Sequence, residues 1–226
     1  MRPGMHHSAR NGSRLPSGDR LRVGIVDTGV NPWHSHVRGG VQGCRIFLDP
    51  QGRIAEDDDF RDLAGHGTAV AGVLRQGLPD AEIFAVRVFD PSLTAYPSLV
   101  ARAILRAAGA GCQLVNLSLA MPIAPGSDIL AQACALALEA GCLLVAAGNP
   151  QRPGLLPASL PGVLGVVADD SLPPGAITFD PSRPYAYSAC GRPRDLTALP
   201  EGSNLWGNSF ACARVAVHAA LQRPCR

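Results

Sequence analysis

Apolar residues in this chain fall into short runs that alternate with longer amphipathic segments. Short runs of aliphatic and β-branched residues are typical of buried strands, and apolar positions three or four residues apart are typical of helices. The predicted strands are 21–27, 44–49, 82–89, 112–120, 142–149 and 162–169. The predicted helices are 68–76, 97–111, 128–140 and 209–221. We predict a polar loop over 54–67.

The alternation of strands and helices predicts an α/β fold. Nearly continuous apolar strands indicate a parallel β-sheet that is covered by helices on both faces. In such sheets, functional groups lie at the carboxyl ends of strands and at the starts of helices. Catalytic or binding residues are therefore expected at those positions.

Length and composition favour a single globular domain. The chain has 226 residues, of which 46% are hydrophobic, enough for one sizeable core. We predict that this domain covers 21–226 and follows a flexible N-terminal extension over 1–20, which is rich in Arg, Gly, Ser and Pro. The formal net charge is only +2 and no basic run occurs, so nucleic acid is not an expected partner.

No segment has the pattern of a membrane span or an export signal. The apolar stretches are too short and too interrupted to cross a bilayer, and the polar N-terminus lacks the apolar core of a signal peptide. We therefore expect no membrane association and a cytoplasmic location.

Three residues with glycine-rich neighbours form a chemical set. They are Asp27 in VGIVDTG, His66 in GHGTAVAG and Ser209 in GNSFA. A serine hydroxyl is a weak nucleophile, so it needs a histidine to take its proton and a buried carboxylate to orient that histidine. Each residue alone also suits an ordinary structural position, such as a strand end or a helix cap. Together they predict covalent serine catalysis.

The surrounding segments resemble the signature blocks of subtilisin-like serine proteases, the subtilases, in the order of that family. The blocks are LRVGIVDTGV, GHGTAVAGVL, VNLSLA, LLVAAGN and GNSFACARVAV. The order Asp, His, Ser separates this family from chymotrypsin-like and α/β-hydrolase enzymes. The resemblance implies a three-layer subtilisin-like peptidase domain over 21–226.

The same resemblance implies an oxyanion hole and a substrate strand. Asn149 is expected to donate its side-chain amide to the oxyanion beside the backbone amide of Ser209, and Gly148 to let the substrate backbone approach. Ser118, Leu119 and Ala120 are expected to pair with an extended polypeptide substrate. The opposite wall of the cleft has weaker candidates, for which ordinary loop structure is an equal alternative: Asp90, Leu93 and Tyr96.

Several residues depart from the family pattern. Ala120 stands where Gly is usual, and Asn208, Phe210 and Ala213 stand where Thr, Met and Pro are usual around the nucleophile. None of them removes a proton-transfer group. They put the efficiency of the enzyme in doubt more than its reaction class.

No metal or other cofactor is expected. The stretch after the helix at 68–76 is too short for the calcium loop of many relatives. The acidic run 56–59, with Asp62 beyond it, lacks the spacing of a calcium loop, and a solvated loop face is the favoured interpretation.

The seven cysteines are scattered and lack a CxxC pair, which favours packing in the core over zinc or disulfides. Cys212, three residues after Ser209, leaves a redox role open beside buried packing.

These observations predict a serine endopeptidase that processes a particular peptide or protein precursor. Two alternatives stay open: a related ligase or macrocyclase with the same active residues, and a peptide-binding protein without catalysis. Only about twenty residues precede the first predicted strand, and the chain stops soon after the helix at 209–221, which predicts a compact intracellular form. A partner protein is a possible occupant of the shortened C-terminal side.

Overall fold

The computed structural model describes residues 20–89, 94–194 and 205–223. Its strands are β1 Arg22–Asp27, β2 Val41–Leu48, β3 Ile54–Asp57, β4 Glu82–Arg87, β5 Leu114–Leu117, β6 Leu143–Ala147, β7 Leu164–Ala168, β8 Ile177–Phe179 and β9 Tyr187–Ala189. Its helices are α1 His66–Gly77, α2 Pro97–Gly109, α3 Ser127–Glu139 and α4 Asn208–Leu221.

Within these described ranges, nine strands form one sheet in the order β3-β2-β4-β1-β5-β6-β7-β9-β8. All neighbours from β2 to β9 pair in parallel, whereas the edge strands β3 and β8 pair antiparallel with β2 and β9. Strand β1 lies in the interior of the sheet, between β4 and β5. The carboxyl end of β1, where Asp27 lies, is thus flanked on both sides by parallel strands that end at the same edge.

Helices cover both faces of the sheet. Helices α1 and α4 pack together over one core, and α2 and α3 pack together over the other. Strand β1 contributes to both cores, with Val26 in one and Val23 and Ile25 in the other, because successive strand residues point to opposite faces. The predicted α/β fold with three layers is confirmed.

The short edge elements differ from the prediction. The predicted loop 54–67 contains β3, and neither β8 nor β9 was predicted. Exposed and half-exposed residues alternate in β3, so it lacks the apolar run by which a buried strand is recognised. Helix α1 begins at His66, two residues earlier than predicted, and β5 ends at Leu117, before the predicted limit.

The helices are short. The longest in the described part of the chain, α4, has 14 residues. None of the described helices combines the length and the apolar character that a bilayer crossing requires.

Strands β2 and β4 approach each other very closely at Gly43. A Cβ at Gly43 would come within 2.1 Å of the carbonyl oxygen of Ala85, so Gly43→Ala must displace a strand. We expect a loss of about 2 kcal/mol or more in the free energy of unfolding, measured by urea denaturation.

The matched control for this prediction is Gly109→Ala in α2, where an added Cβ meets nothing within 4 Å. It should keep or slightly raise the stability, because Ala favours helix. Equal stability of the two variants would contradict the close pairing of β2 with β4.

Candidate active site

The three candidate catalytic residues lie at the carboxyl edge of the sheet. Asp27 is the last residue of β1, His66 the first of α1 and Ser209 the second of α4. The hydroxyl of Ser209 reaches the carbonyl oxygen of Ser118, directly after β5. Elements that are far apart in sequence therefore bring these three side chains to one region.

Asp27 and His66 form the closest contact of the site. His66 Nδ1 lies 2.7 Å from Asp27 Oδ1, which also accepts a hydrogen bond from the backbone amide of Thr28 at 2.7 Å. The Asp27 side chain is 1% exposed and the His66 side chain 30% exposed. The other oxygen of Asp27, Oδ2, is buried and has no hydrogen-bond partner among the described residues. A buried carboxylate of this kind favours the tautomer with the proton on Nδ1, which leaves Nε2 as the basic nitrogen.

The pKa of His66 reflects competing influences. Burial of the ring lowers it, but the hydrogen bond to Asp27 and the negative charges of Asp27 and Asp62 outweigh burial, so the pKa of His66 is raised above its ordinary value of 6.5. Protonated His66 is thus favoured by folding. The associated stability is fully present below the pKa of an unfolded histidine and is lost as the pH rises through the higher pKa of the folded state.

Glycine is required directly after the histidine. A Cβ at Gly67 would lie 2.1 Å from the carbonyl oxygen of Gly29 and 3.1 Å from Asp27 Oδ1. The start of α1 therefore packs directly against the turn that follows β1. This close approach holds His66 beside Asp27.

Ser209 lies in the first turn of α4, where backbone amides are free of intrahelical partners and the helix dipole favours negative charge. Its hydroxyl donates to the carbonyl oxygen of Ser118 at 3.2 Å, and no hydrogen bond joins it to His66. The ring of the next residue, Phe210, packs beside the His66 ring with 5.7 Å between centroids. The residue that follows Ser209 therefore contacts the His66 ring, whereas the Ser209 hydroxyl itself is bonded to Ser118.

A buried polar chain supports the backbone under Ser209. Cys212 Sγ donates to Asn116 Oδ1 at 3.3 Å, and Asn116 Nδ2 donates to Ser118 Oγ at 2.8 Å. Ser118 Oγ in turn donates to the carbonyl oxygen of Ser209 at 3.0 Å. Complete burial raises the pKa of the Cys212 thiol, so this group stays protonated and acts as a donor. Buried packing fits Cys212, and the redox alternative finds no support.

Asn149 follows β6 at the same edge of the sheet. Its Oδ1 accepts a hydrogen bond from the backbone amide of Gln151 at 3.0 Å, which leaves the side-chain NH₂ group as a donor. The role of Asn149 in an oxyanion hole stays a prediction.

Gly148 has a packing role that the sequence did not reveal. A Cβ there would lie 2.7 Å from the ring of Tyr185. The Tyr185 hydroxyl accepts from the amide of Leu155 at 3.1 Å and donates to the carbonyl of Arg152 at 3.2 Å. Tyr185 thus holds the loop after Asn149 through these two hydrogen bonds. Contact of Gly148 with substrate stays a prediction.

The expected substrate segment, 118–120, directly follows β5 and is exposed only at Ala120. Ser118 and Leu119 are buried, Ala120 is exposed, and Met121 pairs with Leu156 through reciprocal backbone hydrogen bonds. Within the described residues, the main-chain groups of Leu119 and Ala120 make no hydrogen bond to another segment. Pairing of this segment with a substrate stays a prediction.

The candidates for the opposite wall of the cleft are only partly described. Asp90 and Leu93 lie outside the described residues, and Tyr96, at the start of α2, is 53% exposed.

Three residues of the acidic run bind arginines: Glu56 pairs with Arg106, Asp57 with Arg45 and Asp59 with Arg61. Among the described residues, no group of three or more His, Cys, Asp or Glu side chains is arranged to hold a metal ion.

The departures around Ser209 have structural explanations. Asn208 Oδ1 accepts a hydrogen bond from the amide of Ala168 at 2.8 Å, which ties the first residue of α4 to the end of β7. The amide of Gly207 donates to the carbonyl of Gly191 at 2.9 Å. Ala213 is fully buried against the core. Sequence reasoning missed the anchoring role of Asn208, because no local pattern shows which strand end faces it.

Comparison with known proteins gives consistent matches. A sequence profile described as the subtilase family matches residues 18–223. The thermostable alkaline protease of Halalkalibacterium halodurans is 34% identical over 164 residues, which cover 68% of this chain and 42% of that protein. Thermitase of Thermoactinomyces vulgaris is 33% identical over 145 residues, covering 60% of this chain and 49% of that protein. This chain spans less than half the length of either relative.

Among solved structures, the prenylagaramide maturation protease PagA is 28% identical with a TM-score of 0.62. The match covers 89% of this chain and 74% of that one.

Burial and the nearby carboxylates have opposite effects on the pKa of His66, so removing a carboxylate should lower that pKa. In the Ser209→Ala protein, NMR titration of the His66 imidazole should give a pKa above 6.5. Asp27→Asn in the same background should lower the pKa of His66, because burial then opposes protonation without the adjacent carboxylate. An unchanged or higher value in the double variant would contradict the assignment of Asp27 as the partner of His66.

The anchor at Asn208 predicts a stability effect. Asn208→Ala leaves the amide of Ala168 without its acceptor and should lower the free energy of unfolding by about 1–3 kcal/mol in urea denaturation. Asn208→Asp keeps an acceptor oxygen and adds a charge that suits a helix N-terminus, so it should retain most of the stability. Equal losses in the two variants would show that the hydrogen bond is unimportant.

Proposed function

Because this chain belongs to the subtilase family, we propose that it is a serine endopeptidase that hydrolyses peptide bonds through an acyl-enzyme on Ser209. The observation that carries this proposal is the hydrogen bond between buried Asp27 and His66, whose ring packs against Phe210, the residue after Ser209 in the first turn of α4. This arrangement supplies a base with a fixed tautomer next to a hydroxyl, at a helix end that favours negative charge.

In the proposed reaction, Ser209 Oγ attacks the scissile carbonyl while His66 Nε2 takes its proton. The Asp27 carboxylate stabilises the imidazolium that forms. The negative oxygen of the tetrahedral intermediate receives hydrogen bonds from the Ser209 backbone amide and the Asn149 side-chain amide. His66 then protonates the leaving amine, and water resolves the acyl-enzyme with His66 again as the base.

One rearrangement precedes this chemistry. The hydroxyl of Ser209 must leave the carbonyl oxygen of Ser118 and turn toward His66. Its bond to Ser118 is 3.2 Å long, at the weak end for a hydroxyl donor, so the turn costs little. Hydrogen bonds of catalytic groups are often long or misaligned without substrate and tighten in the complex.

The substrate we propose is an extended polypeptide. The free main-chain groups of Leu119 and Ala120 support this, because such groups add a peptide as a further strand. Main-chain pairing gives affinity that depends only partly on the substrate's side chains. The exposed methyl group of Ala120 stands beside that path.

The physiological role that we propose is selective cleavage of a peptide precursor. Support comes from the match to the prenylagaramide maturation protease PagA, at 28% identity over 89% of this chain. A maturation enzyme makes few cuts at defined positions, so its pocket must reject most sequences.

A fluorophosphonate probe tests the catalytic assignment. The folded wild-type protein should become covalently labelled at Ser209, because the probe requires an activated serine, and Ser209→Ala should not be labelled. Ser182→Ala is the matched control, since this exposed serine only bonds Asp180, and it should label like the wild type. A folded wild-type protein that takes no label would overturn the proposal.

Mass spectrometry of a diverse peptide library tests the reaction type. Hydrolysis adds one water to the summed products, whereas ligation or cyclisation does not. We expect added water, a narrow set of cleavage sites and no products with Ser209→Ala. Products without added water would assign the chain to the ligase alternative, and indiscriminate cleavage would contradict the precursor-specific role.

A further inference from the structure

Asp62, in the loop between β3 and α1, accepts five hydrogen bonds although it has no role in the proton transfers of the proposed mechanism. Its Oδ1 accepts from the Thr28 hydroxyl at 2.9 Å and from the amides of Ala64 and Gly65 at 3.0 and 2.8 Å. Its Oδ2 accepts from the amide and the hydroxyl of Thr68 at 2.8 and 2.6 Å. One carboxylate therefore gathers five donors from both sides of His66.

These bonds connect the two halves of the acid–base pair. Thr28 directly follows Asp27, and its hydroxyl also accepts from the amide of Gly67 at 2.9 Å. The Thr68 hydroxyl accepts from the amide of Asn31 at 3.0 Å. The turn after β1 and the first turn of α1 are thus joined through Asp62. The N-cap residue of α1, Gly65, offers no side-chain cap, so Asp62 supplies the acceptor that the helix start lacks.

Among the residues that the structure describes, no cation pairs with Asp62. Its neighbours in the acidic run pair with arginines, but no ion pair to Asp62 exists within the described part of the chain. Its five donors are uncharged amides and hydroxyls. The negative charge therefore acts on its surroundings, among which His66 is the group that titrates near neutral pH.

The other groups around His66 leave two carboxylates as the charges that act on the ring. Strand β1 presents Asp27, and α4 presents the neutral Phe210 and the protonated thiol of Cys212. Strand β4 ends in Arg87, whose guanidinium bonds Asp59 at 3.4 Å. Asp27 and Asp62 are the charges that raise the pKa of His66.

We propose that Asp62 is a positioning residue of the active site, which locks the loop carrying His66 to the turn after Asp27 and stabilises protonated His66 by its charge. This inference rests on the proposed function, because it concerns the base of that reaction. Asp62 acts through Thr28, Thr68 and the loop amides and does not touch the reacting atoms. Its removal changes both the placement of the base and the pH at which the base is free.

The direct test measures His66 without any need for catalysis. The imidazole of His66 is titrated by NMR in the Ser209→Ala protein and in the same protein with Asp62→Asn or Asp62→Glu added. Asp62→Asn should lower the pKa of His66, since a nearby negative charge is lost, and Asp62→Glu should keep it close to the parent value. Asp58→Asn is the matched control, because Asp58 is exposed, lies in the same loop and makes no side-chain bond; it should leave the pKa unchanged.

The kinetic test uses the same substitutions with Ser209 intact. Asp62→Asn should reduce kcat at its pH optimum by about tenfold or more, because the base is misplaced, and should move the acid limb of kcat/KM to lower pH. Asp62→Glu should reduce kcat without moving that limb. Asp58→Asn should match the wild type in both.

The outcomes separate this inference from the proposed function. If Asp62→Asn leaves the His66 titration unmoved or raises its pKa, the inference fails, even when the wild-type protein labels and cleaves peptides. A loss of activity or stability without a shift of the titration would indicate a purely structural loop bond and would likewise overturn it. If the wild-type protein takes no fluorophosphonate, the proposed function fails, and the titration still reports on Asp62.

Discussion

The hydrogen bond between Asp27 and His66 is the interaction on which the site depends. Removing a carboxylate from water costs several kcal/mol unless donors replace the lost solvation. Asp27 receives two donors on one oxygen and none on the other, so its charge is incompletely compensated and is directed at the imidazole. The fold accepts this cost at the end of an interior strand, and Gly67 permits the close contact that the bond needs. The positions of α1 and of the loop before it follow from that contact.

A second set of contacts fixes the backbone around Ser209, the proposed nucleophile. Helix α4 begins where Gly207 bonds Gly191, after β9, and where Asn208 bonds Ala168, at the end of β7. Ser118, after β5, holds the carbonyl of Ser209. The first turn of α4 is thus fixed from three strands. Two residues that depart from the family motif make specific contacts here: Asn208 bonds Ala168, and Phe210 packs against His66. These contacts help to fix the start of the helix.

The interior of the fold follows from local pattern, but its edges and supports do not. Buried strands such as β1 and β6 are continuous apolar runs, and the glycine-rich segments around Asp27, His66 and Ser209 name their chemistry directly. Strand β3 has exposed polar residues, so only its pairing with β2 makes it a strand. Tyr185 under Gly148 and Asn208 beside Ala168 are long-range contacts with no local signature. Asp62 lies just beyond an acidic run, 56–59, for which a solvated face is predicted, and only the structure separates it from the acidic residues that pair with arginines.

In the proposed reaction, the two carboxylates around His66 act more strongly as the reaction proceeds. The ring is 30% exposed, so a bound peptide removes further water from it, and this desolvation favours the neutral base. When the proton of Ser209 arrives, the ring becomes a cation in the same dry surroundings, where the attraction of Asp27 and Asp62 is less screened than in water. A charge interaction that grows between the bound substrate and the transition state lowers the barrier, whereas one of constant strength only tightens binding. Under the proposed mechanism, one carboxylate in contact with the ring and a second in the loop that carries it therefore favour the chemical step as well as holding the resting site together.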